Sequence, residues 1–98
     1  MGKGWKNTAP KPKGHRISDM DPEALSLYTE IRLLTKKHMQ RDYARELYEY
    51  RVRYRYGRPG RIHYSWKTRR LMDLLDRFGR NKISAFRAEI ELYHIKRE

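Results

Sequence analysis

Cysteine is absent from this 98-residue chain. Its absence excludes disulfides, cysteine-ligated zinc, iron–sulfur clusters and thiol catalysis. Small secreted domains usually depend on disulfides, so the composition favours an intracellular or organellar compartment. No apolar run approaches the roughly 20 residues that a membrane-spanning helix needs, and the N-terminus has no signal-peptide core. We therefore expect no membrane span.

Acidic residues are scarce. The chain has 24 Lys and Arg against 12 Asp and Glu, which leaves a formal charge of +12 and a pI of about 10.2. No acidic residue occurs between residues 50 and 70, where eight cations would repel one another without an external anion. These cations are Arg51, Arg53, Arg55, Arg58, Arg61, Lys67, Arg69 and Arg70.

Aromatic residues are interleaved with these cations, which suggests the kind of anion. They are Tyr50, Tyr54, Tyr56, Tyr64 and Trp66. Arginine binds phosphate in a bidentate manner, and aromatic rings stack on bases. The segment therefore indicates RNA, with an acidic protein partner or a merely solvated surface as the alternatives.

Apolar residues are few, at 38% of the chain, and the mean hydropathy is −1.09. A chain of this length forms one small domain that buries a modest fraction of its surface. We expect neighbouring molecules in a larger assembly to complete the fold.

Residues 1–17 are predicted to form an extended basic arm. Glycine and proline exclude a regular helix or strand there, and no acid precedes Asp19. Such an arm could thread between phosphates, with Trp5 as an anchor. The remaining residues that we expect to bind RNA in the arm are Lys3, Lys6, Lys11, Lys13 and Arg16.

Residues 18–98 are predicted to form a mainly α domain, a helical hairpin or a small bundle of three to four helices. Asp21 and Pro22 signal the start of a first helix that runs to about Met39. Asp42 would cap a second helix from about Tyr43. The apolar side of that second helix would consist of Ala44, Leu47, Tyr48 and Val52.

Residues 48–66 fit either of two structures. Tyr or Val alternates with Glu or Arg from Tyr48 to Tyr56, and Gly57 to Gly60 could form the loop of a β-hairpin. The helical pattern that leads into the segment from Tyr43 favours a continuing helix instead.

Two further helices are predicted. One follows Ser65 and ends near Gly79, and the last begins at Asn81 or Ser84. The last helix has apolar residues at helical spacing at Ile83, Phe86, Ile90 and Tyr93, with Leu92 as a further candidate.

No catalytic or metal-binding pattern is present, so we predict that the protein is not an enzyme and has no cofactor. The four histidines lack metal-ligand spacing and are expected at the surface or its boundary. Asp73 and Asp76 lie one turn apart among arginines, which predicts intrahelical ion pairs and not a carboxylate pair for catalysis. The histidines are His15, His38, His63 and His94.

Leu27-Tyr28-Thr29, early in the first helix, resembles the Leu-Tyr-Arg signature of the mitochondrial LYR-motif family, with Thr29 in place of the arginine. The Tyr- and Arg-rich segment 43–58 is similar to the second helix of that family, and Tyr56 stands where the family has Phe. The resemblance implies a short basic three-helix protein that binds acyl carrier protein, whose acyl arm enters the helical core. Family members are subunits or assembly factors of respiratory complexes and mitochondrial ribosomes.

Together these features predict a structural protein of a ribonucleoprotein, most simply a mitochondrial ribosome in the matrix. The arm and the basic segment 51–70 would bind rRNA through phosphates, and helical faces would pack on neighbouring proteins. The alternative is an LYR-type adaptor for acyl carrier protein. The residues that we expect at a protein partner are Leu27, Tyr28, Ile31, Phe86 and Ile90.

Overall fold

The structure is a computed structural model that describes residues 20–98. Within this range the chain forms three helices and no strand: α1 (Pro22–Tyr54), α2 (Trp66–Gly79) and α3 (Ala85–Arg97). The prediction of a mainly α bundle is confirmed. The predicted basic arm, residues 1–17, lies outside the described residues.

Each helix begins at a side chain that accepts a hydrogen bond from the first turn. Asp21 Oδ1 accepts from the Ala24 amide at 2.8 Å, with Pro22 at the first helical position. Ser65 and Ser84 cap α2 and α3 in the same way. These caps satisfy amides that have no partner inside the helix. All three helix starts were readable from the sequence, and Ser84 is the start of the last helix.

The predicted break between a first and a second helix is wrong. Helix α1 runs without interruption through Met39, Asp42 and Tyr43 for 33 residues. No glycine or proline lies between Met39 and Tyr54, so nothing in the backbone stops the helix. Asp42 is buried in its interior and uses its carboxylate to contact α2 instead.

The β-hairpin alternative for residues 48–66 is also wrong. Helix α1 continues to Tyr54, and residues 55–65 form an irregular loop that returns to α2. The alternation of Tyr or Val with charged residues therefore lies mostly on a helix. It does not mark a sheet with one buried face.

The core lies where α2 and α3 pack on the N-terminal half of α1. Helix α2 is antiparallel to α1, since Ser65 contacts Asp42 and Gly79 lies beside Tyr28. An added β-carbon on Gly79 would lie 3.0 Å from Tyr28 Cε1. The fully buried large apolar side chains are Ile31, Leu71, Leu74, Phe78 and Ile95.

The predicted apolar positions of the last helix are confirmed in part, since Leu92 is buried in the core and Ile83 packs against it. Ala88, Leu92 and Ile95 face the core, whereas Phe86, Ile90 and Tyr93 are exposed. Both stripes have helical spacing, so periodicity alone did not distinguish them. With α3 in this orientation, Arg77 on α2 pairs with Glu91 on α3 at 2.6 Å.

Candidate nucleic-acid interface

Helix α1 extends well beyond the helices that pack on it. Its contact with the start of α2 is at Asp42, so the turns that follow have no second helix beside them. From residue 44 to Tyr54 this free part is about 16 Å long. The loop folds back along it, since an added β-carbon on Gly57 would lie 3.5 Å from Tyr50 Cε1. We call residues 44–65, the free part of α1 and its return loop, the projection.

Five arginines of the projection are exposed and have no acidic partner in the part of the chain that the structure describes. No carboxylate among residues 20–98 lies within 4.0 Å of their guanidinium groups. Glu46 and Glu49 are the acidic residues of the projection. The five are Arg51, Arg53, Arg55, Arg58 and Arg61.

Several cations of the three-helix body, residues 20–43 and 66–98, pair with carboxylates. Arg77 bonds Asp73 at 2.8 Å and Glu91 at 2.6 Å, and Arg80 bonds Asp76 at 2.8 Å. These contacts confirm the intrahelical pairs predicted for the two aspartates. Arg87 and Lys96 also contact carboxylates, those of Glu91 and Glu30. Eight other cations of the body have no carboxylate within 4.0 Å among residues 20–98, but they are spread between residues 32 and 97. The five unpaired arginines of the projection all lie within residues 51–61, so unpaired charge is densest there.

Large side chains of the projection are exposed as well. Tyr48, Val52, Tyr54 and Tyr56 are between 57% and 82% exposed, which excludes them from the core. The predicted apolar side of a second helix therefore has no partner helix among residues 20–98. The rings of Tyr50 and Tyr54 pack at 4.7 Å between centroids. Open tyrosine faces beside arginines can stack on bases and bind phosphates.

The helical geometry distributes these arginines over more than one side. Arg51 and Arg53 both lie on α1, and Arg53 points about 200° away from Arg51. Arg55 ends α1 with φ of 72° and ψ of −45°, and the Tyr56 amide donates to the Tyr54 carbonyl at 2.8 Å. This three-residue turn is strained for a residue with a side chain.

The other predicted RNA-binding residues are differently placed. Lys67 is half-buried at the start of α2, and Arg70 bonds the Glu98 carboxylate on α3. The Arg69 guanidinium lies over the Trp66 ring, 5.6 Å from its centroid. The eight-cation stretch thus divides between the projection and the start of α2. The six predicted residues of the N-terminal arm lie outside the described range.

Of the residues predicted to bind a protein partner, Ile31 is fully buried in the core and does not reach the surface. Leu27 and Tyr28 are half-buried against the core. Phe86 and Ile90 are exposed on α3 and remain available to a partner.

Sequence reasoning missed an apolar groove between α1 and α2, on the side away from α3. Two cavities of about 470 and 460 Å³ share Thr35, Met39 and Leu75 as lining residues. Tyr28 lies at one end of the groove and Tyr43 at the other. Tyr28, Thr35, Met39 and Tyr43 follow a helical spacing that a single uninterrupted α1 would have revealed.

Sequence reasoning also missed a buried polar contact where the projection joins the body. Asp42 is fully buried, and its Oδ2 accepts from the Ser65 amide at 2.9 Å and from Thr68 Oγ1 at 2.7 Å. Burial alone would raise the pKa of Asp42. These hydrogen bonds and Arg45 more than offset that effect, so the pKa lies below its ordinary value of 3.8.

His38 lies one turn before Asp42 and is buried, whereas the histidines were expected at the surface or its boundary. Burial is the main cause that lowers the pKa of His38, and the positive charges of Arg41 and Lys67 add to it. His38 Nδ1 is 3.0 Å from Arg41 Nη2, so the neutral ring accepts that hydrogen bond. His63 and His94 are exposed, and His15 lies outside the described residues.

Across residues 20–98, no three His, Asp or Glu side chains gather as a metal site would require. No helix in that range has the length and apolar character to cross a membrane. The chain matches no family model, no curated protein and no solved structure. The geometry of the projection is therefore the principal guide to function.

Proposed function

We propose that this protein is a non-enzymatic structural component of a ribonucleoprotein, most simply a mitochondrial ribosome, and that the projection binds rRNA. The observation that carries the proposal is the density of unpaired arginine on the projection. The projection has six arginines against two glutamates, and five of the six lack an acidic partner among residues 20–98. Such a concentration of unpaired charge is stabilised by an external polyanion.

Shape supports the same proposal. A helix and loop that extend about 16 Å from a body can enter a space between RNA helices. Phosphate contacts from arginine would provide affinity and position without reading sequence. Exposed tyrosines on the same surface would add stacking on unpaired bases.

The test is the salt dependence of RNA binding by the full chain. About six phosphate contacts predict a slope of log K against log[salt] near −5 for duplex RNA and near −4 for a single strand. Replacing Arg53, Arg55 and Arg58 with Gln should flatten the slope by about two to three units. The fold should persist, and relief of like-charge repulsion should raise the melting temperature slightly.

A matched control removes the same charge from the body. The triple variant Arg80→Gln, Arg87→Gln and Lys96→Gln also loses three positive charges, but its cations are paired with carboxylates in the folded protein. Its slope should change by less than that of the projection variant. Equal slopes for the two variants would show that net charge and not the projection determines binding.

The alternative adaptor function is favoured by a separate observation, the groove between α1 and α2. Tyr28 of the Leu27-Tyr28-Thr29 segment lines a cavity of about 460 Å³ that is open and mainly apolar. An acyl chain would suit that groove, as the resemblance to the LYR-motif family implies. Copurification of the chain with a phosphopantetheine-bearing carrier protein, without RNA, would replace the RNA proposal with this one.

A further inference from the structure

Trp66 is an exposed tryptophan at the point where the projection rejoins the body. It occupies the first position of α2 and is 65% exposed, although Arg69 lies over its ring. Burial of a tryptophan in a small core would contribute far more to stability than this surface contact does. Packing in the core of the bundle therefore does not explain why a tryptophan occupies this position.

The surroundings of Trp66 form a shallow cavity. Its volume is about 280 Å³, near the lower end of the range for small-molecule sites. Ile95 lies at its apolar floor and is 1% exposed. Arg70 and Arg77 line it as well, but Glu98 and Glu91 occupy their guanidinium groups.

Arg69 is the cation at this cavity that has no acidic partner among residues 20–98. A planar indole face beside an unpaired guanidinium suits a ligand with an aromatic ring and a negative charge. A nucleotide has both, since its base can stack on indole while its phosphate bonds arginine.

The cavity is close to the projection along the chain. Trp66 follows Arg61 by five positions, so their Cα atoms are at most about 18 Å apart. One RNA molecule can therefore contact the arginines of the projection and the indole together.

We propose that Trp66 and Arg69 form a stacking site for one unpaired nucleobase, next to the backbone contacts of the projection. This inference rests on the proposed function, and it adds a partner class: RNA in which an unpaired nucleotide adjoins a duplex. Stacking requires a base that is free of its own helix, so a fully paired RNA would reach the projection but not Trp66.

The experiment uses the full chain with Trp5→Phe, which leaves Trp66 as its one tryptophan. Two fluorescein-labelled RNA probes are compared, a blunt duplex and the same duplex with a short single-stranded adenosine extension. Anisotropy of the label measures binding for every variant, and Trp66 emission measures quenching in the chains that keep Trp66. The extension should quench Trp66 fluorescence and tighten binding by about fivefold to a hundredfold. The blunt duplex should bind without the quenching.

In the Trp5→Phe chain, adding Trp66→Ala should abolish the gain from the extension and leave blunt-duplex binding unchanged. Adding Phe86→Ala instead is the matched control, because Phe86 is a 74% exposed aromatic residue on α3, and it should preserve the gain. Circular dichroism melting of each variant establishes that the fold is intact.

The outcomes separate the two proposals. If both RNAs bind equally and Trp66 fluorescence does not respond, or if Trp66→Ala keeps the gain, the stacking site is wrong and RNA binding by the projection stands. If neither RNA binds, the stacking site and the proposed function are both overturned.

Discussion

Asp42 should be the polar residue on which the junction between the projection and the body most depends. Replacing it with alanine removes two hydrogen bonds to a buried carboxylate, those from the Ser65 amide and Thr68 Oγ1. Hydrogen bonds to charged groups contribute about 1.5–3 kcal/mol each. The other oxygen, Oδ1, accepts no hydrogen bond, but Arg45 Nη1 lies 3.5 Å from it and partners its charge.

The loss for Asp42→Ala is therefore about 3–6 kcal/mol for the two bonds together, which lowers the melting temperature of a domain of this size by at least about 12 °C. Asp42→Asn keeps an acceptor of the same shape and loses the charge, so we expect a smaller loss of about 1–2 kcal/mol.

The pH dependence provides an independent check on the same residue. Because the pKa of Asp42 is lower in the folded protein, the unfolded chain binds the proton more tightly. The stability that Asp42 contributes is complete above the unfolded pKa near 4 and is lost as the pH falls through the folded pKa. Wild type should therefore lose its advantage over Asp42→Asn as the pH falls below about 4. Glu91 also has a lowered pKa, chiefly from the Arg77 hydrogen bond, but it is present in both proteins.

Urea denaturation followed by circular dichroism measures the stability loss and its pH dependence. Measurements at about pH 7, 4 and 3 span the ordinary pKa of an aspartate. Asp76→Asn is the matched control, since Asp76 is an exposed carboxylate whose partner, Arg80, lies one turn away. It should change stability little because surface ion pairs contribute little. A variant Asp42→Asn with the stability and pH profile of wild type would refute the reasoning.

Three further predictions concern the core and the projection. Phe78→Ala, at a fully buried site, should cost about 3–5 kcal/mol in urea denaturation, whereas Phe86→Ala, at a 74% exposed site, should change stability little. Arg55→Gly should raise the melting temperature, because glycine adopts the φ of 72° without strain; a decrease would show that the turn is not strained. Arg51→Gln and Arg53→Gln, made singly, should flatten the salt slope of RNA binding by unequal amounts, since the two side chains point about 200° apart on α1 and cannot both reach one RNA backbone; equal slopes would contradict this.

Local signals in the sequence were sufficient for the helix starts. Asp21 before Pro22, Ser65 before α2 and Ser84 before α3 cap their helices through contacts within three residues of the cap. Such contacts depend on neighbouring residues alone, which is why they can be read without the fold. The cluster of arginines and tyrosines on the projection, and its lack of acids, was likewise visible in the linear order.

Contacts between residues distant in sequence determined the features that local patterns left open or predicted wrongly. Asp42 has the chemistry of a helix cap, but Ser65 and Thr68, more than 20 residues away, make it a buried acceptor inside α1. Two apolar stripes on α3 have the same period, and only packing on α1 and α2 selected Ala88 over Phe86 for the core. Composition and local pattern thus determined a basic, helical chain with its charge in one segment. Tertiary packing decided the ion pairs that join different helices, those of Arg77 with Glu91 and of Lys96 with Glu30, because such pairs form only after the helices have docked. It also left the end of α1 and its return loop without a helix beside them, and the five arginines there have no carboxylate partner among residues 20–98.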